Sequence, residues 1–461
     1  MSIDFPKNWK QVVLEDALDA LIDYRGKTPK KVDKGIPLIT AKVVKSGRIL
    51  PMDEFIADED YESWMVRGIP QISDIVVTTE APLGEVAQIK NANVALAQRI
   101  VTLRGKVDFL ENDFLLFLMQ SDFVQNQLEA RATGSTVKGI KQSELRKIIL
   151  PIPPIAEQKC IGKILSDLDD KIHLNNQINQ TLESIAQAIF KSWFIDFDPV
   201  RAKIAAKQEG KDAEFAAMCV ISGKSEEELK QMSEDDFAEL QATAALFPDE
   251  LVESELGDVP RGWEISKISK IGKVITGKTP SSKIENSFAE KGTFFITPTD
   301  IDTEVFVTNT NRYLSEYGEI AIKNSKVDAG SLCITCIGSQ MGKVVITPKS
   351  AFTNQQINSI LLFNSTLRNY IFLNLRQRRD DIFLIGSGGS TMPIINKSTF
   401  ESLNLILPDL ALIRKFDNFI SPFFNNILSN SVENIELKNI RDALLPELLA
   451  GKINVSMLKD M

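Results

Sequence analysis

Apolar and polar positions follow two different rhythms along this chain. In residues 1–150 the apolar runs are short and strand-like, as in IPLITAKVV, DIVVTTE and RIVTLRG, and Gly or Pro interrupts them. A helical patch, FLLFLMQSDFVQNQLEARA, comes next, then a turn at Gly134-Ser135-Thr136. IILPIPP closes the segment, because consecutive prolines continue neither a helix nor a central strand. From about Ala156 to Phe194 the rhythm changes. Ile161, Ile164, Leu168, Ile172, Ile178, Leu182, Ile185, Ile189 and Trp193 form an apolar seam with steps averaging near 3.5, the period of a coiled coil. A helix of about 38 residues would be a rod of about 57 Å.

The second half repeats the plan. TFFITPTD, SLCITCIG, KVVITP and INSILLF read as strands, and NYIFLNLRQRRDDIF reads as a helix. A closing helix runs from about Leu410 to Leu449, with the seam Ile413, Phe416, Ile420, Phe423, Ile427, Leu437, Ile440, Leu444 and Leu448. Landmarks recur at a displacement of about 251 to 258 residues: Trp9 as Trp263, Gly26-Lys27-Thr28-Pro29 as Gly277-Lys278-Thr279-Pro280, Gly134-Ser135-Thr136 as Gly389-Ser390-Thr391, and Leu150-Pro151 as Leu407-Pro408. Two copies of one unit imply an α+β molecule with pseudo-twofold symmetry, in which the long helices pack antiparallel. Both seams break at matched polar positions, Asn175 with Asn430 and Asn179 with Asn434. A buried Asn in such a seam costs stability and fixes register.

Composition changes the picture only through charge. At 461 residues, two or three domains are expected. The net charge of −9 argues at first against nucleic acid. However, 17 acidic and 6 basic residues fall between Asp196 and Asp258, so the repeated units are close to neutral and carry basic patches. This acidic block reads as a helical insert or a linker, and its sequence leaves both open. No apolar run reaches the roughly 20 residues that span a bilayer, and MSIDFPKNWK lacks a signal-peptide layout, so a cytoplasmic location is expected. Four cysteines make no disulfide framework. Cys333 and Cys336 sit in a strand-like run and lack a second ligand pair, which favours a structural role over zinc.

Catalytic motifs are weak. Gly272 to Thr279 fits GxxxxGK[ST], but a weak strand precedes it and Pro280 disfavours the helix that should follow. His173 is the only histidine, and it lies on the long helix. No methyltransferase string or nuclease-like acid cluster occurs, and GSGGS opens no helix, so a binder is expected rather than an enzyme. Loop cations and polar residues suit a DNA reader, with Lys and Arg on phosphates and polar groups on base edges. The candidates are Lys27, Thr28, Thr40, Lys42, Lys45, Arg48, Lys138 and Lys141 in the first copy, and Lys278, Thr279, Thr299, Asp300, Gln340 and Lys343 in the second.

Several segments carry a family resemblance. LPIPPIAEQKCIGKILSDLDDKI, AIFKSWFIDFDPVRAK, GSTVKGIKQSELRKIILPIP and ALLPELLAGKINV, together with the duplicated GKTP units, resemble specificity subunits of type I restriction–modification enzymes over nearly the whole chain. In the second copy LPDLALIRKF lacks the Glu157-Gln158 pair. The resemblance implies target-recognition domains at 1–154 and 257–409, long helices at 155–200 and 410–461, and the acidic segment at 201–256. It implies a non-catalytic chain whose two domains each read half of a split DNA site while the helices set the gap. Two methyltransferase subunits and motor–nuclease subunits would be partners, and would use S-adenosylmethionine, ATP and magnesium. The implied docking residues are Glu157, Gln158, Trp193, Phe194, Asp196, Phe197, Asp198, Pro199 and Arg201. A coiled-coil scaffold that binds no DNA is the alternative reading.

Overall fold

A computed structural model describes residues 5–24, 26, 28–388, 393–453 and 455. The chain divides into unit 1, Met1–Leu174 with Asn434–Met461, and unit 2, Asn175–Glu433. Two helices of 40 residues, Ile155–Phe194 and Leu410–Leu449, each contribute to both. The first starts at Pro154, whose carbonyl accepts the Glu157 N–H at 2.8 Å. The second starts at Asp409, whose Oδ1 accepts the Ala411 N–H at 2.7 Å.

Unit 1 is built on an antiparallel sheet in the order Leu18–Asp23, Ile100–Gly105, Ile75–Thr79, Leu83–Gln88. A second sheet places Ile36–Ile39 parallel to Ala95–Leu96 and antiparallel to Phe55–Ile56. Lys10–Val13 pairs with Ile149–Ile152, so the start of the unit is tied to the strand leading into the first long helix. Helix Asn112–Gln120 buries Phe114 to Met119 without a break, because an element apolar all round must lie inside. Ser121 caps the next helix, Asp122–Arg131.

Unit 2 repeats this order: Gly272–Thr276, Ile357–Leu362, Leu332–Thr335, Val344–Ile346. Thr293–Ile296 again runs parallel to a strand, Ala351–Thr353, and Glu264–Lys267 pairs with Asn404–Leu407. Gly272–Thr276 is therefore a strand bonded to Ile357–Leu362, which leaves no loop there to wrap a phosphate. Cys333 and Cys336 fall in different core clusters, and burial pushes their thiols up to about 12 and about 11. They act as small apolar side chains.

The acidic block is folded. It forms helices Asp198–Gln208, Ala213–Ser222, Glu226–Leu229 and Glu234–Ala244, around Ala217, Met218, Leu229 and Ala244. Ser225 and Ser233 cap the last two, and acidic triplets Glu226–Glu228 and Glu234–Asp236 occupy their first turns. Carboxylates are favoured there by the exposed N–H groups and the helix dipole, so two helix starts account for six of the 17 acidic residues. Buried Lys203 ties the block together, donating to the Phe247 carbonyl at 2.8 Å and to Glu214 at 3.2 Å.

The long helices run antiparallel within each unit. In unit 1, Asp169 meets Arg441. In unit 2, Asn175 meets Glu433, Asn179 meets Asn430, and Phe190 meets Phe416. Their inward faces differ from the expected seams. Ile178, Ile185 and Ile440 are 38%, 41% and 48% exposed. The inward positions are instead Asn175, Ala186 and Phe190 on the first helix and Phe424 on the second, with Phe423 only half-buried. Small Ala186 sits in the core cluster that also holds Phe190 and Phe416. Arg441 replaces Ile440 because Asp169, itself half-buried, supplies its partner.

Candidate nucleic-acid interface

The two GKTP turns use their glycines for different reasons. Gly26 has φ of +88°, a left-handed conformation that side chains resist. Gly277 lies so close to its neighbours that a Cβ would meet the Asn354 carbonyl oxygen at 2.1 Å. Its N–H donates to the Ile357 carbonyl and that of Lys278 to Thr353, which pins the turn against the inner strand.

In unit 1 this turn and the residues flanking the GST turn converge on one recess. Its volume is about 290 Å³, and Thr79, Glu80, Gln98, Arg99, Thr133 and Lys141 line it beside Gly26. Arg99 has φ of +69° and forms an ion pair with Glu80, its Nε 3.1 Å from Oε1. The Thr79 hydroxyl is buried and has no hydrogen-bond partner among the described residues. Lys141 is exposed, and so is Lys138, which pairs with Glu129. Thr28 is exposed; Lys27 and the second copy's Gly389-Ser390-Thr391 lie outside the described residues.

The remaining first-copy candidates lie elsewhere. Thr40 is half-buried, and Lys42 and Lys45 are exposed near the hairpin Val44–Lys45/Arg48–Ile49. Lys42 pairs with Asp53 at 3.1 Å, an exposed contact weak enough to give way to a phosphate. Arg48 is a correction: its Nη2 donates to the Asp169 carbonyl at 2.6 Å and to Asp170 at 3.1 Å. The guanidinium anchors the hairpin to the long helix.

In unit 2, Lys278 is exposed and Thr279 donates to Gln355 Oε1 at 2.8 Å. Lys343 bonds Asp302 at 3.0 Å and so joins the turn carrying Thr299 and Asp300 to the turn carrying Gln340. Thr299 and Gln340 are exposed. Asp300 is a second correction. Its carboxylate accepts from the N–H and hydroxyl of Thr297 and from the N–H and amide of Asn311, so its lone pairs are already committed to holding the turn. Lys343 is likewise paired, with a side chain only 17% exposed.

Most of the expected docking residues turn out to be core. Gln158 is fully buried: its Oε1 accepts the Glu111 N–H, and its Nε2 donates to the carbonyls of Phe109 and Pro153. Trp193, Phe194, Phe197 and Pro199 are buried too. Phe194 packs edge-on against Phe416 at 5.0 Å and Phe197 against Trp263 at 5.5 Å. Burying each ring contributes roughly 1.5–3 kcal/mol to folding, so these side chains close the inside of unit 2 and expose no surface for a partner. Phe197 takes the left-handed conformation, φ 56°, at the reversal between helices. Arg201 Nε donates to the Asp196 carbonyl at 2.8 Å, and Lys191 pairs with the Asp196 carboxylate. Glu157, Asp196 and Asp198 are half-buried, and Arg201 is exposed. Sequence reasoning missed the apolar surface the helices do expose, Ile178 and Ile185 on the first and Phe419, 52% exposed, on the second. Ile178 and Ile185 were hidden by being assigned to the seam, whereas Phe419 lies outside it.

Among the described residues no three metal-ligating side chains converge, and no helix is long and apolar enough to cross a membrane. The family described as type I restriction modification DNA specificity domain matches twice, at residues 6–184 and 260–439. The HindI specificity subunit of Haemophilus influenzae is 39% identical over 376 residues, covering 78% of this chain and 82% of that protein. The MjaIX specificity subunit of Methanocaldococcus jannaschii is 26% identical over 98% of this chain and 95% of its own length. The crystal structure of the S subunit from M. genitalium superposes with a TM-score of 0.57 at 14% identity, covering 97% of this chain and 98% of that one. One scaffold built twice with different turns, matched by the domain model in both halves, places this chain in the family of type I restriction–modification specificity subunits.

Proposed function

We propose that this chain is the DNA-sequence-reading subunit of a type I restriction–modification complex, with one half of a split site read by each β-rich unit. The observation that carries this reading is the repeated strand order bearing different polar turns: Glu80 and Arg99 in one copy, Gln340 and Thr299 in the other. Exposed Lys45, Lys141 and Lys278 supply phosphate contacts, which give affinity without sequence. The scaffold alternative, a pure coiled-coil protein, gives no reason for two differently decorated β units.

On this reading the chain itself is non-catalytic. Methyltransferase subunits and motor–nuclease subunits complete the complex, and S-adenosylmethionine, ATP and magnesium are used by them. We assign the partner surface to the exposed apolar residues Ile178 and Ile185, seven positions apart and so on one face of the first helix, and Phe419 on the second. The long helices set the gap between half-sites. Once both half-sites are engaged, a docked methyltransferase flips and methylates a base, and the few kcal/mol this costs are offset by the contacts of the whole complex.

Base-modification sequencing of host DNA, with the chain intact and deleted, tests the reading. Loss of methylation at one split motif on deletion is the expected result. Unchanged methylation with the partner subunits expressed would refute it, and a salt-independent, DNA-free complex would favour the scaffold.

A further inference from the structure

The two copies can be aligned through backbone hydrogen bonds rather than through motifs. In unit 1 the Thr79 N–H donates to the Arg99 carbonyl at 2.8 Å, the Ala97 N–H to Ile39 at 2.9 Å, and the Ile140 N–H to Thr79 at 2.9 Å. In unit 2 the Cys336 N–H donates to the Gln356 carbonyl at 2.8 Å, the Asn354 N–H to Ile296 at 3.0 Å, and the Ile395 N–H to Cys336 at 2.9 Å. The ladders agree, Ile100 opposite Thr78 in one and Ile357 opposite Thr335 in the other. Arg99 and Gln356 are therefore the same position, one residue before the inner strand of each sheet.

The backbones match and the side chains do not. The Arg99 side chain is 52% exposed, lines the polar recess and is ion-paired with Glu80 at Nε, and its two terminal nitrogens remain a fork of donors. Where Glu80 stands in unit 1, unit 2 has Ile337, and Gln356 is held instead by Asn354, whose Nδ2 donates to Gln356 Oε1 at 3.1 Å. That amide keeps a second lone pair on Oε1 and both N–H donors on Nε2. Each side chain is thus oriented by one neighbour and retains a donor or donor–acceptor pair. The two chemistries are those that read different bases: a guanidinium fork fits guanine O6 and N7, and a carboxamide fits adenine N6 and N7.

We infer that Arg99 and Gln356 are equivalent base-reading residues, Arg99 specifying a guanine in one half-site and Gln356 an adenine in the other. This rests on the DNA-reading function proposed above. A fixed turn on the inner strand, filled with a different side chain in each copy, lets one scaffold read two sequences. Cys336 takes the place of Thr79 in the second copy, so the buried hydroxyl beneath Arg99 has no counterpart beneath Gln356.

The test uses the complete complex of this chain with its methyltransferase subunits, carrying wild-type, Arg99→Ala, Gln356→Ala or Arg99→Gln chains. Two quantities are read: the methylated genomic motif, and equilibrium binding to duplexes bearing each base pair at each motif position. Wild type should give one split motif; if it gives none, the DNA-reading function fails and takes this inference with it. With that motif in hand, Arg99→Ala should lower discrimination about 5- to 150-fold at a single G·C position of one half-site. Gln356→Ala should do the same at a single A·T position of the other. Arg99→Gln retains a polar side chain at the turn and should shift preference at that same position from guanine towards adenine. An unaltered motif in these variants would overturn the inference. So would a uniform weakening across all duplexes, which marks a phosphate contact, or a change confined to the opposite half-site.

Discussion

Asn430 Nδ2 donates to Asn179 Oδ1 at 2.9 Å, joining the two long helices between residues 251 positions apart in the chain. Asn179 in turn donates to Ser431 Oγ at 3.3 Å and lies within reach of the Ile427 carbonyl at 3.4 Å. Four residues along, buried Asn175 donates to Glu433 at 2.7 Å. These amides occupy positions where an apolar residue would pack well. Their bonds are made at one register only, and sliding one helix by a turn would bury each amide without its partner.

A double-mutant cycle at this pair separates the two contributions. Asn430→Ala alone leaves the Asn179 carbonyl without its donor and is expected to cost about 1–3 kcal/mol. Replacing both residues by Leu is expected to cost less in thermal unfolding than Asn430→Ala, because neither amide is left without the other and only the Ser431 hydroxyl loses its Asn179 donor. Amide hydrogen exchange of residues 175–194 should nevertheless speed up in the double variant, since a uniformly apolar seam tolerates more than one alignment. Undiminished protection there would show that packing alone determines register.

Glu183 makes a pH-dependent contribution. It is held in a largely dry site against Arg376 at 2.9 Å, and burial raises its carboxyl pKa above the ordinary value, with the arginine and Gln187 opposing. A folded pKa above the unfolded one means that the folded state binds the proton more tightly. The stability this contributes is complete below the unfolded pKa and is lost as pH rises through the folded pKa. The difference in melting temperature between wild type and Glu183→Gln should therefore move in favour of the variant as pH rises from acid towards neutrality. A difference independent of pH would show that Glu183 titrates alike in both states.

The long helices were legible to within a residue, Ala156 against Ile155 at the start of the first and Leu410 and Leu449 at the ends of the second, because a 3.5-residue rhythm over 40 residues has few alternatives. The face they turn inward was only partly legible. Periodicity picks out Ile178, Ile185 and Ile440, but the inward positions include Asn175, Ala186 and Arg441, chosen by close packing and by Asp169. The acidic run was compatible with a helical insert or a linker, and the structure shows the insert, with two acidic triplets at helix N-termini. At the proposed reading surface the motifs located the turns but not the residues. Gly26 and Gly277 are 251 positions apart while Arg99 and Gln356 are 257 apart, so only the backbone bonds reveal the last correspondence.

Helix length is expected to control the gap between half-sites. Inserting about four residues into each long helix adds roughly one turn, about 6 Å, against about 3.4 Å per base pair. The methylated motif of such a variant should keep both half-sites and lengthen its spacer by one or two base pairs, read directly by modification sequencing. Retention of the original spacer by an active complex would remove the helices as the measuring element.

Gln158 distinguishes a docking residue from an internal one. Its carboxamide is sealed inside unit 1, where it bonds the Glu111 N–H just before helix Asn112–Gln120, the Phe109 carbonyl, and the Pro153 carbonyl within the proline stop. The segment Phe109–Glu111 is thereby fixed to the start of the first long helix by one side chain. Gln158→Leu matches its volume but leaves the Glu111 N–H and the carbonyls of Phe109 and Pro153 buried and unbonded. Each such group costs about 1–3 kcal/mol, so a loss of at least ~2 kcal/mol in unfolding is expected even with partial relaxation. Gln158→Glu should be worse, because it removes both donors and buries a carboxyl. If Gln158 acts only inside unit 1, the variant that remains folded at low temperature will bind the methyltransferase subunits with wild-type affinity. Substituting exposed Ile178 and Ile185 by serine should do the reverse, sparing the melting temperature while weakening assembly. Weakened assembly from Gln158→Leu at full folding would return that residue to the partner surface.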